Sequence, residues 1–312
     1  MILTVTTNAA LDRVLFIERF IHGIPMQASK CVDCVGGKGF DVSVALRGLG
    51  VDTVGLGVVA GRRGMDLVNF MKAYGIQLDL VWGEGETRLA HVIIETELHN
   101  HSHIITSAPP VSAKLRGNLL RMYRLRLATT GYVVIAGSLA PGLPEDFYKT
   151  LISLAREAGK PVLVDCHGEA MRQALLASPT IAKMNRREFS QTMQVDVDSE
   201  EKLLEEGRTF VSRYPFVSLV ITDGKIGLWG FTPNNVYQAQ APTQEAVNAA
   251  GAGDAASAAL VWRLSLGNSW PEAMRWSAAV SAASVRTQAT AEVNLVDVTE
   301  LLPKVVVSVQ SG

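Results

Sequence analysis

The chain has 312 residues, of which 48% are hydrophobic and 19% are charged, so it can bury a large core in one or two domains. Its 29 basic residues balance 30 acidic ones, which argues against a binder of nucleic acid or of a membrane surface, since such proteins need a basic surplus. Three cysteines are too few for a disulfide framework and favour a cytoplasmic protein.

The first third of the chain predicts one strand of a main sheet and a small separate sheet. Residues 1–8 predict the first strand rather than a signal peptide, because no basic region precedes the apolar residues. Four later segments alternate apolar with polar side chains, as half-buried strands do. These segments are residues 13–20, 27–35, 87–96 and 102–106.

A helix predicted over residues 39–49 separates the two pairs of short strands. The small sheet would therefore come from two insertions, at about residues 12–35 and 86–107. We expect it to act as a lid that covers a site and keeps water away. Edge strands without a lid role are the alternative.

From about residue 130 the sequence alternates short apolar strands with helices. The predicted strands are residues 132–136, 161–164, 180–184 and 216–222, and the predicted helices are residues 144–158, 169–177 and 199–213. The succession predicts one α/β domain over residues 1–312, with a doubly wound, mainly parallel sheet and helices on both faces. Ligands bind at the carboxyl ends of such strands.

Two glycine-rich turns carry the strongest chemical signals. Gly36-Gly37-Lys38-Gly39 precedes a helix, where glycines allow close backbone approach and a lysine suits phosphate. An ordinary turn with a solvated lysine is the alternative at this point. The second turn is Gly251-Ala252-Gly253-Asp254, which opens a helix of small residues.

The second turn has the features that phosphoryl transfer requires. Amides at a helix start can stabilise the developing charge on a phosphoryl group. Asp254 follows directly, where a carboxylate could accept the proton of a hydroxyl nucleophile. A purely structural role for Asp254, as an acidic residue that complements the helix dipole, is the alternative.

These two turns resemble the signatures of the PfkB, or ribokinase-like, carbohydrate kinases. Four further motifs follow the family's order: residues 7–12 (TNAALD), 86–88 (ETR), 137–142 (GSLAPG) and 165–170 (DCHGEA). The resemblance covers essentially the whole chain. Within the family, the sequence most resembles the 1-phosphofructokinase and tagatose-6-phosphate kinase group. It implies a ribokinase-like fold and an ATP-dependent kinase that phosphorylates a hydroxyl of a phosphorylated hexose.

The resemblance also implies roles for individual residues. Asp254 would be the catalytic base, and Gly251, Ala252 and Gly253 would form an anion hole. The implied substrate-binding residues are Asp12, Gly37 and Asp41 at the sugar hydroxyls, Lys38 and Arg88 at the phosphate already on the sugar, and Ser138 at the border of the pocket.

ATP and Mg²⁺ would be bound by later motifs, again by resemblance. The implied ATP-binding residues are Lys183, Asn185, Thr222, Asp223, Gly224 and Gly227. Asn185 and Glu188 would organise Mg²⁺ through water, which suits an ion that keeps most of its hydration shell.

Several departures from the family pattern leave alternatives open. Asp41 replaces an Asn and Ala90 replaces a second Asn, which favours a kinase of an unphosphorylated sugar or nucleoside as one alternative. Ala289 and Ala291 stand in a loop that is usually rich in glycine near adenine and a monovalent cation, so adenine contacts and potassium activation stay open. A catalytically silent sugar-phosphate-binding protein is the alternative from another class.

Smaller signals predict no further chemistry. Cys31 and Cys34 lack a second ligand pair and should lie on opposite faces of a strand, so neither zinc nor redox chemistry is expected. His99, His101 and His103 predict an exposed triplet rather than a metal site, with substrate contact by one of them as the alternative. The open edges of the small sheet suggest a homodimer that forms through the lid.

Overall fold

The computed structural model describes residues 1–98 and 100–311, in which fourteen strands and ten α-helices form. The strands are β1 Ile2–Thr6, β2 Ala10–Ile17, β3 Lys30–Gly36, β4 Thr53–Ala60, β5 Gln77–Gly83, β6 Arg88–Glu95, β7 Asn100–Ile105, β8 Tyr132–Ala136, β9 Val162–Asp165, β10 Ile181–Asn185, β11 Ser218–Thr222, β12 Leu228–Phe231, β13 Asn235–Gln240 and β14 Val306–Ser311. The helices are α1 Lys38–Gly48, α2 Gly61–Ala73, α3 Ala113–Leu127, α4 Phe147–Glu157, α5 Gly168–Leu175, α6 Arg186–Met193, α7 Glu200–Arg213, α8 Ala252–Ser265, α9 Trp270–Ser284 and α10 Leu295–Leu301.

Ten strands form one large sheet in the order β14-β13-β12-β11-β10-β9-β8-β1-β4-β5. Every pairing from β11 to β5 is parallel, whereas β12, β13 and β14 extend the sheet with antiparallel pairings. The mainly parallel, doubly wound sheet predicted from the sequence is thus confirmed. The sequence analysis did not anticipate the antiparallel extension.

The central strands of the large sheet are buried on both faces because helices cover each face, whereas the outer strand β14 is mostly exposed. On β8, Val133 and Ile135 pack into a cluster with residues of α3, α4 and α5. The alternate residues Tyr132 and Val134 pack into a second cluster with α1, α8 and α9. Successive side chains of a strand point to opposite faces, so a continuous apolar run satisfies both helical layers.

Strands β2, β3, β6 and β7 form the small sheet, in the order β3-β2-β6-β7. Its two halves come from the two insertions that the sequence analysis predicts. One face packs on the rest of the protein, where Val14, Phe16, Val92 and Ile94 join Ala250 and Ala289 in one apolar cluster. No helix within the described residues is long and apolar enough to cross a membrane.

Candidate active site

Two cavities adjoin at the carboxyl ends of the parallel strands, where residues of both sheets meet. The first cavity has a volume of about 430 Å³ and the second about 440 Å³. Five residues line both cavities: His101, Asn185, Thr222, Ala249 and Gly253. Ligands in the two cavities would therefore meet near Gly253, in the first turn of α8.

The second cavity brings together every residue that the sequence analysis assigned to the sugar substrate. These residues are Asp12, Gly37, Lys38, Asp41, Arg88 and Ser138. Gly251, Gly253 and Asp254 line the same cavity. Segments far apart in the sequence meet here because parallel strands end at a common edge of the large sheet, and the small sheet with Asp12 and Arg88 adjoins that edge.

The first cavity holds most of the residues predicted to bind ATP. It is lined by Asn185, Thr222, Gly224 and Gly227, and by Ala252 of the predicted anion hole. Two predicted residues lie elsewhere. Lys183 lines the second cavity, and Asp223 borders a neighbouring open cleft, where it accepts a hydrogen bond from Arg186 at 2.7 Å.

Residues 251–253, which we call the anion loop, lead into α8. Gly251 is the N-cap residue and has a φ of 80°, and a Cβ atom there would lie 2.5 Å from the amide nitrogen of Ala291. Only glycine combines this left-handed backbone with so close a contact. First-turn amides lie at the positive end of the helix dipole, so the loop offers a binding place for a phosphoryl group between the two cavities.

Asp254 is the third residue of α8, and it lines the second cavity. Its Oδ1 atom is buried without a hydrogen-bond partner among the described residues. Burial, followed by the negative charge of Asp165, raises the pKa of Asp254 from 3.8 to about 7. A carboxylate whose pKa lies near neutral pH is suited to accept a proton from a hydroxyl group.

Asp165, at the end of β9, forms ion pairs with two lysines, and its charge acts on Asp254. Its carboxylate is 1% exposed and accepts hydrogen bonds from Lys183 Nζ at 2.6 Å and from Lys38 Nζ at 2.8 Å. Burial would raise the pKa of Asp165, but the two ammonium groups outweigh burial and hold this pKa well below its usual range. Asp165 is therefore ionised, and its charge opposes ionisation of Asp254.

The ammonium group of Lys38 has different partners from those expected. It is paired with Asp165 and lies 3.2 Å from Glu188 Oε1. Burial lowers the pKa of Lys38, but the two carboxylates outweigh burial and raise it above its usual range, so the group stays charged. To bind a substrate phosphate beside Arg88, Lys38 would have to share its charge with these carboxylates.

Asp12, Asp41 and Arg88 face the same cavity from three different elements. Asp12 accepts a hydrogen bond from Thr290 Oγ1 at 3.2 Å, and burial raises its pKa to about 7. Asp41 Oδ1 is buried without a partner in the described chain, and burial followed by the charge of Asp12 raises the pKa of Asp41 well above 3.8. Arg88 donates two hydrogen bonds to the carbonyl of Asn8, at 3.0 and 3.3 Å.

Asn185 and Glu188 form a capping box at the start of α6. Asn185 Oδ1 accepts from the amide of Glu188, and Glu188 Oε2 accepts from the amide of Asn185, both at 2.8 Å. Because Glu188 Oε1 also accepts from Lys38, the pair fits water-mediated rather than direct contacts to Mg²⁺. Residues 1–98 and 100–311 contain no cluster of three His, Cys, Asp or Glu side chains suited to direct metal binding.

Comparison with known proteins decides the family. The pfkB family carbohydrate kinase model matches residues 4–296. The chain belongs to the pfkB family of carbohydrate kinases. Family membership implies ATP as co-substrate and usually a divalent cation.

Solved structures agree with the pfkB assignment. A possible 1-phosphofructokinase from Thermotoga maritima is 28% identical, with a TM-score of 0.90 over 99% of both chains. Phosphofructokinase-2 from Escherichia coli in complex with potassium is 21% identical, with a TM-score of 0.87 over 97% of this chain and 98% of that chain. Arabidopsis thaliana ribokinase complexed with ribose and ATP is 20% identical, with a TM-score of 0.75 over 96% of this chain and 98% of that chain. The predicted ribokinase-like fold is thus confirmed.

The altered loop of this pfkB kinase does not lie where the sequence analysis expects. Ala289 and Ala291 do not line the first cavity. Ala289 packs against the small sheet, and Ala291 is fully buried beside Gly251 with a left-handed φ of 55°. The two alanines therefore affect the contact between the anion loop and the small sheet rather than the wall of the first cavity.

Asp165, Thr290, His101 and His103 also line the pfkB site, and the sequence analysis gave them no definite role there, although it kept substrate contact by one histidine as an alternative. Asp165 ends a buried strand, where ligands of such sheets bind, and it opens the motif over residues 165–170, but neither signal gave it a role. The alternation of His101 and His103 puts both on the cavity side of β7, whereas His99 lies outside the described residues. Cys31 is exposed and Cys34 is buried, in agreement with the prediction that they lie on opposite faces of a strand.

Proposed function

We propose that the protein transfers the γ-phosphoryl group of ATP to a hydroxyl of a phosphorylated hexose. One observation carries the proposal: the anion loop lies where the two cavities join, and Asp254 and Arg88 line the same cavity beside it. ATP in the first cavity would present its γ-phosphate to the loop. The sugar would occupy the second cavity, with its reacting hydroxyl at Asp254.

The second cavity offers complementary groups for a sugar phosphate. Arg88 is oriented by the carbonyl of Asn8 and would bind the phosphate, with the hydroxyl of Ser138 beside it. Asp12 and Asp41 would accept hydrogen bonds from sugar hydroxyls, or donate one where protonated. Gly37, with a φ of 101°, lets the backbone approach the sugar closely.

Transfer then needs one bond change and one proton transfer. The sugar oxygen attacks the γ-phosphorus, the bond from that phosphorus to the β-phosphate oxygen breaks, and the hydroxyl proton passes to Asp254. The amides of the anion loop and the ammonium group of Lys38 would stabilise the developing charge. Mg²⁺, held through water by Asn185 and Glu188, would neutralise charge on the ATP phosphates.

The small sheet supports a lid role in this proposal. His101 and His103 of β7 reach the second cavity, and Asp12 and Arg88 come from β2 and β6. A substrate would therefore contact the small sheet directly and be shielded from water, which limits wasteful hydrolysis of ATP. We regard residues 1–312 as one ribokinase-like unit with this lid as its discontinuous part.

A kinase of an unphosphorylated sugar is the second candidate, and the carboxylates of the second cavity favour it. Asp12 and Asp41 are buried in that cavity, and carboxylates bind hydroxyls better than they tolerate a phosphate. Melting temperatures separate the two candidates. Stabilisation by fructose 1-phosphate or tagatose 6-phosphate but not by fructose supports the phosphosugar proposal, and the reverse pattern supports the second candidate.

Turnover of MgATP with a panel of sugars and sugar phosphates tests the function itself. We expect ADP formation with at least one phosphohexose at a rate of about 1–100 s⁻¹, as is typical of kinases. Strong binding of a sugar phosphate without any turnover would instead support a silent binding protein. Turnover that prefers an unphosphorylated sugar would refute the phosphosugar proposal.

We also propose that two copies of the chain associate through the small sheet. Strands β3 and β7 are its two outer strands, and exposed apolar side chains lie on or near it. They are Phe20, Ile21, Ile24, Ile104 and Ile105. Light scattering should give the mass of a dimer, and Ile104→Lys on β7 should give the mass of a monomer.

A further inference from the structure

Residues 287–291, which we call the bridging segment, lie between the small sheet and the anion loop. Thr290 in this segment is 4% exposed. Its hydroxyl donates to Asp12 Oδ2 at 3.2 Å and accepts from the thiol of Cys34 at 3.6 Å, and its amide donates to the same sulfur at 3.5 Å. Thr290 is therefore bonded to β2 and to β3, the two strands that come from the first insertion.

The other side of the bridging segment contacts the anion loop. A Cβ atom at Gly251 would lie 2.8 Å from the methyl carbon of Thr290 and 2.5 Å from the amide nitrogen of Ala291. Ala291 also donates to the carbonyl of Ala250 at 3.4 Å. Thr290 thus has its hydroxyl on Asp12 and its methyl group against the loop that leads to the proposed catalytic base.

We propose that Thr290 is a positioning residue, which holds Asp12 at a set distance from the anion loop so that the sugar hydroxyl is presented to Asp254. The inference rests on the proposed function, because it concerns the sugar that Asp12 would bind. Its basis is that one short, buried side chain joins Asp12 of the small sheet to the anion loop at the start of α8.

The hydroxyl of Thr290 has a specific task that its methyl group cannot perform. A hydrogen bond to a carboxylate restricts rotation of the carboxylate and favours its ionised form. Around Asp12, Arg88 of β6 also favours ionisation, whereas burial opposes it and raises the pKa to about 7. Asp41 of α1 and Cys34 of β3 are the other titratable groups near Asp12.

Two variants of Thr290 separate the hydroxyl from the methyl group. Thr290→Val keeps the shape and removes the donor, so kcat/KM for the sugar should fall about 10- to 100-fold, the range for a hydrogen bond to a charged group, with KM for ATP unchanged. Thr290→Ser keeps the donor and should stay within roughly threefold of the wild type. The acid limb of the kcat/KM profile should move to higher pH in Thr290→Val only, because the pKa of Asp12 rises.

Thr287→Val is the matched control in the same segment. Its hydroxyl donates to the carbonyl of Ser284 at 2.8 Å and lies 3.2 and 3.3 Å from the carbonyls of Ala289 and Glu292, so the variant removes bonds within and beside the segment but none to Asp12. We expect it to lower the melting temperature and to leave the sugar kinetics and the pH profile unchanged. Equal kinetics for Thr287→Val and Thr290→Val, or equal impairment of Thr290→Ser and Thr290→Val, would overturn the role of Thr290.

A readout without turnover keeps this inference separate from the proposed function. The carboxyl carbon of Asp12, assigned with Asp12→Asn, can be titrated by ¹³C NMR in each variant. The titration should move to higher pH in Thr290→Val and not in Thr287→Val. Failure of the wild type to phosphorylate any sugar would refute the proposed function, whereas an unmoved titration in Thr290→Val would refute the contact on which the positioning role depends.

Discussion

Asp254→Asn should abolish most activity and at the same time make the protein more stable at alkaline pH. In the folded protein Asp254 ionises only near pH 7, whereas in the unfolded chain it ionises near 3.8. Folding stability therefore falls as the pH rises between these values, since only the unfolded state gains from ionisation. At about 1.4 kcal/mol per pH unit, the cost is roughly 4 kcal/mol above pH 7 and about 2 kcal/mol at pH 5.

Asparagine keeps the size of the side chain and cannot ionise, so the variant escapes this cost. Urea unfolding at pH 5 and pH 8 measures the difference, and the gain over the wild type should be larger at pH 8 by about 2–3 kcal/mol. Asp146→Asn, an exposed residue at the start of α4, is the matched control and should show no such change. A variant that is less stable than the wild type at pH 8 would refute the raised pKa and with it the picture of an uncompensated buried carboxylate.

Three further predictions concern the groups around Asp254. Gly251→Ala should lower the free energy of unfolding by well over 2 kcal/mol and remove activity. Gly267 has a similar φ of 78° but open space around it, so Gly267→Ala should lower the free energy of unfolding by only about 1–2 kcal/mol, as measured by urea unfolding. Arg88→Lys keeps a charge but loses the planar donor pair, so KM for a sugar phosphate should rise about 10-fold or more while KM for ATP stays constant in steady-state assays. Asp165→Asn leaves Lys183 buried without its counter-charge and should lower the free energy of unfolding by about 3–5 kcal/mol. The double variant Asp165→Asn/Lys183→Met should recover part of this loss in urea unfolding. No recovery would contradict the pairing of Asp165 with Lys183.

Residues whose role depends on local structure could be predicted from the sequence. Asn185 and Thr222 end buried strands, and Gly251 and Asp254 begin a helix, so each position follows from a short pattern. Parallel strands then bring these ends together without any further information. The six predicted sugar-binding residues all line one cavity because the small sheet, which carries Asp12 and Arg88, packs at this same edge.

Contacts made between distant segments could not be predicted in this way. Lys38 pairs with Asp165 across 127 positions, and Thr290 reaches Asp12 across 278. Short patterns contain no information on such pairs, and Lys38 was therefore assigned to the substrate phosphate alone. The antiparallel strands β12 to β14 are short, and β14 pairs with β13 only after three α-helices have intervened.

The most direct test follows the transferred phosphoryl group itself rather than the consumption of ATP. Wild-type protein, MgATP and the best phosphohexose of the panel should produce a new phosphate ester signal in ³¹P NMR that grows as the γ-phosphate signal of ATP declines in equal amount. With Asp254→Asn the new signal should grow at least about 100-fold more slowly. Loss of ATP with only inorganic phosphate formed, or an undiminished rate in Asp254→Asn, would contradict phosphoryl transfer to a sugar hydroxyl with Asp254 as the base.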